Sequence, residues 1–270
     1  TNGFLTFGAT APGTFTSAPI SSTEAYSGAV SPFGGDLNAI FNVASVTGNI
    51  SWAVVGTAPN REIVVQWADF RPTWSTSTTN AYSISFQVRL KETVNTISAV
   101  YLKGSYLAGT TAISGTRQVG LRGATNADFN NRLNSTTVLF TASTAGTANT
   151  STQSYNTLNA TPGMPVDGLT YTWTPPSCFA PSGLVSGATT PTTASIGWAA
   201  PSTPPGNGYE YVFSTTNTTP AVTATGTPTN ALTAALGPLV TGTTYYWWVR
   251  SICSPTDKSA WVAGPPFTPG

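Results

Sequence analysis

Ala81-Tyr-Ser-Ile-Ser-Phe-Gln-Val-Arg-Leu-Lys91 decides the class of the fold. Tyr82, Ile84, Phe86, Val88 and Leu90 alternate with Ser83, Ser85, Gln87, Arg89 and Lys91. A period of two sets the large apolar groups on one face of an extended chain and the polar groups on the other, so this is a strand with one wet face. The rhythm continues on both sides. Upstream, Arg61-Glu-Ile-Val-Val-Gln-Trp67 aligns Ile63, Val65 and Trp67 on one face; downstream, a polar turn over residues 92–95 leads into Ile97-Ser-Ala-Val-Tyr101. Further strands are expected near Gly3–Gly8, Ile50–Val55, Gln118–Arg122, Thr137–Thr141 and Leu169–Trp173. Apolar residues at helical spacing never persist for three turns, so no helix of useful length is expected.

Composition supports an all-β reading. Charged residues are 7% of the 270, against roughly 25% in ordinary soluble proteins. Hydrophobics at 40% and aromatics at 11% are still enough for packed cores. Small neutral residues replace the charge: 49 Thr, 26 Gly and 21 Pro. Thr is β-branched and suits strands, while Gly and Pro punctuate turns. The absence of histidine excludes His-based catalysis and His-ligated metals. Two cysteines are too few for a structural zinc site. A net charge of +1 supplies no basic patch for nucleic acid, and no apolar run approaches the ~18 residues of a membrane span.

The chain divides at Thr174-Pro-Pro-Ser-Cys-Phe-Ala-Pro181. Residues 1–176 are expected to form an antiparallel β-sandwich, with a jelly roll as one arrangement, and residues 177–270 a second domain. Within the first, residues 141–161 hold few large apolar groups and read as an exposed loop or poorly packed strands.

The second domain resembles a seven-stranded fibronectin type III sandwich over residues 178–269. Ala194, Ile196 and Trp198 match its second strand with the buried Trp, Gly208–Phe213 its third, and Trp261–Phe267 its last. Leu239-Val-Thr-Gly-Thr-Thr-Tyr245, with Val249 and Arg250, resembles the tyrosine corner, with Thr241 where the family usually has Pro. The resemblance implies a disulfide between Cys178 and Cys253, and hence an oxidising compartment. The first domain resembles a nidogen-like extracellular module through Asn2–Gly8, Ser31-Pro-Phe-Gly-Gly-Asp-Leu37, Val64–Trp67 and Phe86–Glu92 with Ile97–Tyr101. The pairing is similar to large secreted surface proteins of gliding Gram-negative bacteria. Those proteins commonly end in a sorting domain, and the nidogen-like family usually has a strand before NGFLTFG, so the chain is expected to be a piece of something larger.

Candidate functional residues are few. No two first-domain carboxylates share a strand face at the spacing a glycosidase needs. Asp36, after Gly34-Gly35, resembles the acidic position of the nidogen-like motif. It offers one hard oxygen ligand for calcium, with Asn38 and Asn42 as helpers, although a turn-capping role needs fewer assumptions. No other cofactor is implied. Trp52, Trp67, Trp173, Trp198 and Trp247 share faces with other apolars and are assigned to the core. Trp74, beside Arg71 in a turn-rich loop, either stacks on a sugar or folds back over the end of the sandwich. If Tyr245 points inward, then Tyr246, Trp248 and Arg250 point outward beside Val212 and Glu210. That apolar strip, flanked by an Arg250–Glu210 pair, is expected to be covered by the first domain, a neighbouring copy or a ligand.

These residues point to a non-enzymatic extracellular or cell-surface module for adhesion or architecture, binding a glycan, a protein or its own copies. The alternative is a polysaccharide-binding accessory region of a secreted hydrolase. A polymer subunit is a third reading, since exposed edge strands pair and low charge repels little.

Overall fold

A computed structural model describes residues 2–14, 16–72 and 78–270. Among these the regular structure is antiparallel β, with one 3-10 turn at Phe140–Ala142. Two compact units are present, Thr1–Thr174 and Pro175–Gly270.

The first unit contains twelve strands: β1 (Leu5–Thr6), β2 (Ala29–Gly34), β3 (Asn38–Ala39), β4 (Asn49–Val55), β5 (Glu62–Arg71), β6 (Ala81–Lys91), β7 (Ile97–Ala108), β8 (Ser114–Arg122), β9 (Phe129–Leu133), β10 (Thr144–Ala145), β11 (Gln153–Asn156) and β12 (Thr170–Trp173). One six-stranded sheet runs β1-β2-β8-β9-β10, with β11 also on β8; the other runs β12-β7-β6-β5-β3, with β4 also on β5. In the second sheet, register aligns apolar residues in rows across the strands. Trp67 lies opposite Phe86 and Phe86 opposite Tyr101; Val65 lies opposite Val88 and Val88 opposite Ala99. These rows meet Phe33 of β2, whose ring lies 6.0 Å from Phe86 and 5.5 Å from Tyr155. The alternation in β6 thus becomes the inner face of a sandwich.

Several sequence expectations are corrected. Thr137–Thr141 is not a strand; Phe140 is instead buried in the core on the 3-10 turn. Residues 141–161, read as an exposed loop or poorly packed strands, do hold strands, but β11 is well packed: its Gln153, Ser154 and Tyr155 are buried. Strand β2 escapes a reading by propensity because it contains Pro32. That residue lies where the β2–β8 register shifts between Ser31 and Gly34, a site that tolerates a missing amide donor. Trp52 is not core: it is 73% exposed.

The second unit has seven strands: β13 (Ser182–Thr189), β14 (Ala194–Ala199), β15 (Tyr209–Ser214), β16 (Thr227–Thr229), β17 (Thr233–Leu236), β18 (Tyr246–Ser251) and β19 (Val262–Ala263). They form a three-stranded sheet, β13-β14-β17, and a four-stranded sheet, β16-β15-β18-β19. Trp198 is the centre of the core, with its ring 5.7 Å from Tyr209 and 6.4 Å from Trp247. The Trp247 indole donates to Ser186 Oγ and the Pro265 carbonyl, both at 2.9 Å, so its one polar atom is satisfied. Tyr245 is buried, and its hydroxyl accepts from the Val240 amide at 3.1 Å. The corner register inferred from the sequence holds. Cys178 and Cys253 are joined in a disulfide, with Cα atoms 5.6 Å apart.

Candidate binding surfaces

A cleft of about 780 Å³ opens in the first unit where the β2 end, the β5 end and β8 converge. Its lining includes Gly34, Gly35, Asp36, Arg71, Asn80, Arg117, Gln118 and Tyr155. Arg117 is the anchor. Its guanidinium carbon lies 4.9 Å from the Tyr155 ring centre and 5.5 Å from that of Phe33. It donates to the carbonyls of Thr116 (2.9 Å), Asp36 (3.2 Å) and Pro72. Burial lowers its pKa, and the nearby Tyr155 and Asp36 oppose that shift; an arginine keeps its charge through such a shift. Gly35 explains the close approach: a Cβ there would lie 2.6 Å from Arg117 Cδ. Arg71 is buried in the same wall, where desolvation lowers its pKa as well. Two cations and one carboxylate, Asp36, therefore face a polar cleft edged by aromatic rings.

The outward face of the second unit's larger sheet is built differently. Arg250 and Glu210 lie opposite each other on β18 and β15, both buried, with Nε and Oε1 2.6 Å apart. The segment between β15 and β16 closes over them. Val222 and Ala224 carbonyls accept from Arg250, the Gly226 amide donates to Glu210 at 3.1 Å, and Lys258 reaches Glu210 at 2.9 Å. The Trp261 ring stacks 4.2 Å from the Arg250 guanidinium carbon. Desolvation would raise the Glu210 carboxyl, but the hydrogen bonds from Lys258, Gly226 and Arg250 outweigh it and hold the group below its ordinary value. Sequence parity anticipated the pair; it could not show that the cover is the domain's own loop and Trp261. Trp248 is 2% exposed and Tyr246 and Val212 are half-buried, so the strip presents no bare aromatic surface.

The NIDO-related family matches residues 1–175. The chain belongs to the NIDO-related family. No curated protein matches this NIDO-related chain. Among solved structures, it is similar to a two-domain fibronectin type III segment of chicken tenascin, at 12% identity over 82% of this chain and 99% of that one, with a TM-score of 0.27. It is also similar to a myokine structure, at 21% identity over 35% of this chain and all of that one, with a TM-score of 0.26. The fibronectin-like character of the second unit rests on its own three-plus-four strand arrangement and its tyrosine corner.

The structure places Asp36 and Arg71 in one cleft and Tyr246, Trp248 and Val212 in another unit. Trp74 lies outside the described residues. Arg117 donates to the Asp36 backbone carbonyl at 3.2 Å, and no group of three His, Cys, Asp or Glu side chains that could hold a metal forms among the described residues. Arg117 was missed by sequence reading. A lone Arg in Ser-Gly-Thr-Arg-Gln carries no signal until the fold brings β8 beside Gly35 and Arg71. No helix among the described residues is long and apolar enough to cross a membrane.

Proposed function

We propose that this chain is a non-enzymatic extracellular module for adhesion or architecture, and that the first unit's cleft binds a hydroxyl-rich, acidic glycan. The observation that carries the reading is the convergence of Arg71 and Arg117 on one open cleft with amide and hydroxyl groups around it. The positive charge of the two guanidinium groups suits an acidic ligand. The flanking Asn80, Gln118 and backbone groups suit sugar hydroxyls. The disulfide supports an oxidising compartment, and the lack of histidine leaves out histidine-based acid–base chemistry.

A glycan array probed with the full chain tests this, followed by calorimetry on any uronate- or sialate-bearing hit. Arg71→Met is expected to weaken binding at least tenfold, and Asp36→Asn to strengthen it by removing a like charge. An array blank for acidic glycans, or Arg71→Met binding as well as the native chain, overturns the cleft assignment.

A further inference from the structure

Strand β4, Asn49-Ile-Ser-Trp-Ala-Val-Val55, is exposed at every one of its seven residues. Among the described residues it pairs with β5 alone, and its other edge has no strand beside it. The register shows which face carries its large side chains. Ile50 lies opposite Trp67, Trp52 opposite Val65, and Val54 opposite Ile63. These are the rows that run inward to Phe86, Val88 and Leu90. The core-facing surface of this sheet therefore continues past its cover as an apolar ledge. Ile50 is 47% exposed, Trp52 73%, Val54 50% and Ile63 44%.

Natural edge strands are usually blunted by a lysine, a proline or an inward charge. Strand β4 has none of these. The ions nearest its end are mostly matched, Arg61 with Glu92 at 2.7 Å and Glu62 with both Arg89 at 2.9 Å and Lys91 at 3.8 Å, which leaves one surplus positive charge at the end of the strand and none along it. Sugar is a poor occupant as well, because the neighbours of Trp52 on this face are Ile50, Val54, Ile63 and Val65, with no polar side chain for ring hydroxyls.

The strand is complementary to itself. Turned end for end about Trp52, Ile50 meets Val54, Ser51 meets Ala53, and Trp52 meets its own copy. We propose that two copies of this chain join β4 to β4 in antiparallel register about a two-fold axis at Trp52. Directly opposed residues of such a pair have Cβ atoms ~4.5–5.5 Å apart, which brings the two indoles together. The pairing satisfies both free edges at once. An indole three-quarters exposed presents roughly 150 Å²; with the half-exposed aliphatics and the backbone edges, two copies bury about 1,000 Å², the lower limit for a specific contact. The contact is the same patch on both copies and consumes the edge, so the assembly closes at two. This deepens the reading of an architectural module but does not involve the cleft, so loss of one leaves the other standing.

Sedimentation velocity on the full chain over a dilution series tests the mass: a reversible monomer–dimer equilibrium is expected. Trp52→Lys is expected to abolish the dimer, with thermal unfolding unchanged at concentrations where the native chain is monomeric. Register is tested by oxidative cross-linking in which Trp52 stays in place. Ile50→Cys mixed with Val54→Cys is expected to give a disulfide-linked dimer, and either variant alone none. A chain monomeric at every concentration, assemblies larger than two, a Trp52→Lys variant that still dimerises, or cross-linking of Ile50→Cys to itself would each overturn the proposal.

Discussion

Glu92 and Glu210 show how two carboxylates of one chain are held by different means. Glu92 is reached by Arg61 Nε at 2.9 Å, Nη2 at 2.7 Å and the Arg61 amide at 3.1 Å. These hydrogen bonds bring its pKa down to about 2. A carboxyl depressed in the folded state contributes its stability above its unfolded pKa, ~4.3, and loses it as pH falls from there through about 2. An NMR titration of the Glu92 carboxyl carbon is expected to show a midpoint near 2, rising toward the ordinary range in Arg61→Gln, which keeps only the backbone amide donor. A native midpoint near the ordinary value would contradict the bidentate pair. Glu210 is enclosed, and its partner Arg250 is buried with it. Removing one member of such a pair strands the other charge away from water. Glu210→Ala is therefore expected to cost about 3–5 kcal/mol in urea unfolding, far more than the loss of a surface pair.

Among the elements, strands β4 and β5 separate burial from hydrophobicity. Trp52 and Trp67 are both flanked by alternating apolar residues, and sequence reading assigns both to the core. Trp67 is 2% exposed, with its ring 5.2 Å from Phe86. Trp52 stands at the edge, beyond the covering sheet. Trp67→Ala is expected to cost about 3–5 kcal/mol through transfer and cavity terms. Trp52→Ala, measured at concentrations where the chain is monomeric, should stay within ~0.5 kcal/mol. Equal costs in chemical denaturation would mean that β4 is covered in the folded monomer. Alternation identifies a strand's two faces; it is silent on how far the opposing sheet extends.

At the scale of the whole molecule, two sandwiches are stabilised by different devices. The first relies on a large aromatic core, the second on a smaller core and a disulfide that closes a sequence separation of 75. The chain-entropy model assigns that loop ~4–5 kcal/mol. Reduction is expected to lower the unfolding temperature of the second unit and leave that of the first in place, as read by calorimetry with and without reductant. Two transitions that shift together would show that the units do not unfold independently. The sequence by itself determined the all-β class, the seam near residue 175, the fibronectin-like register and the cysteine pairing. The class and the seam follow from local periodicity and turn chemistry; the register and the cysteine pairing follow from the resemblance to fibronectin type III modules. Tertiary structure alone decided that residues 141–161 supply a buried strand, that Arg117 joins Arg71 in a cleft, that a loop closes over Arg250, and that Trp52 faces outward. Those outcomes depend on which strands become neighbours and where one sheet ends above another. Pairings between residues tens of positions apart set them, and the period of a single strand carries no information about such partners.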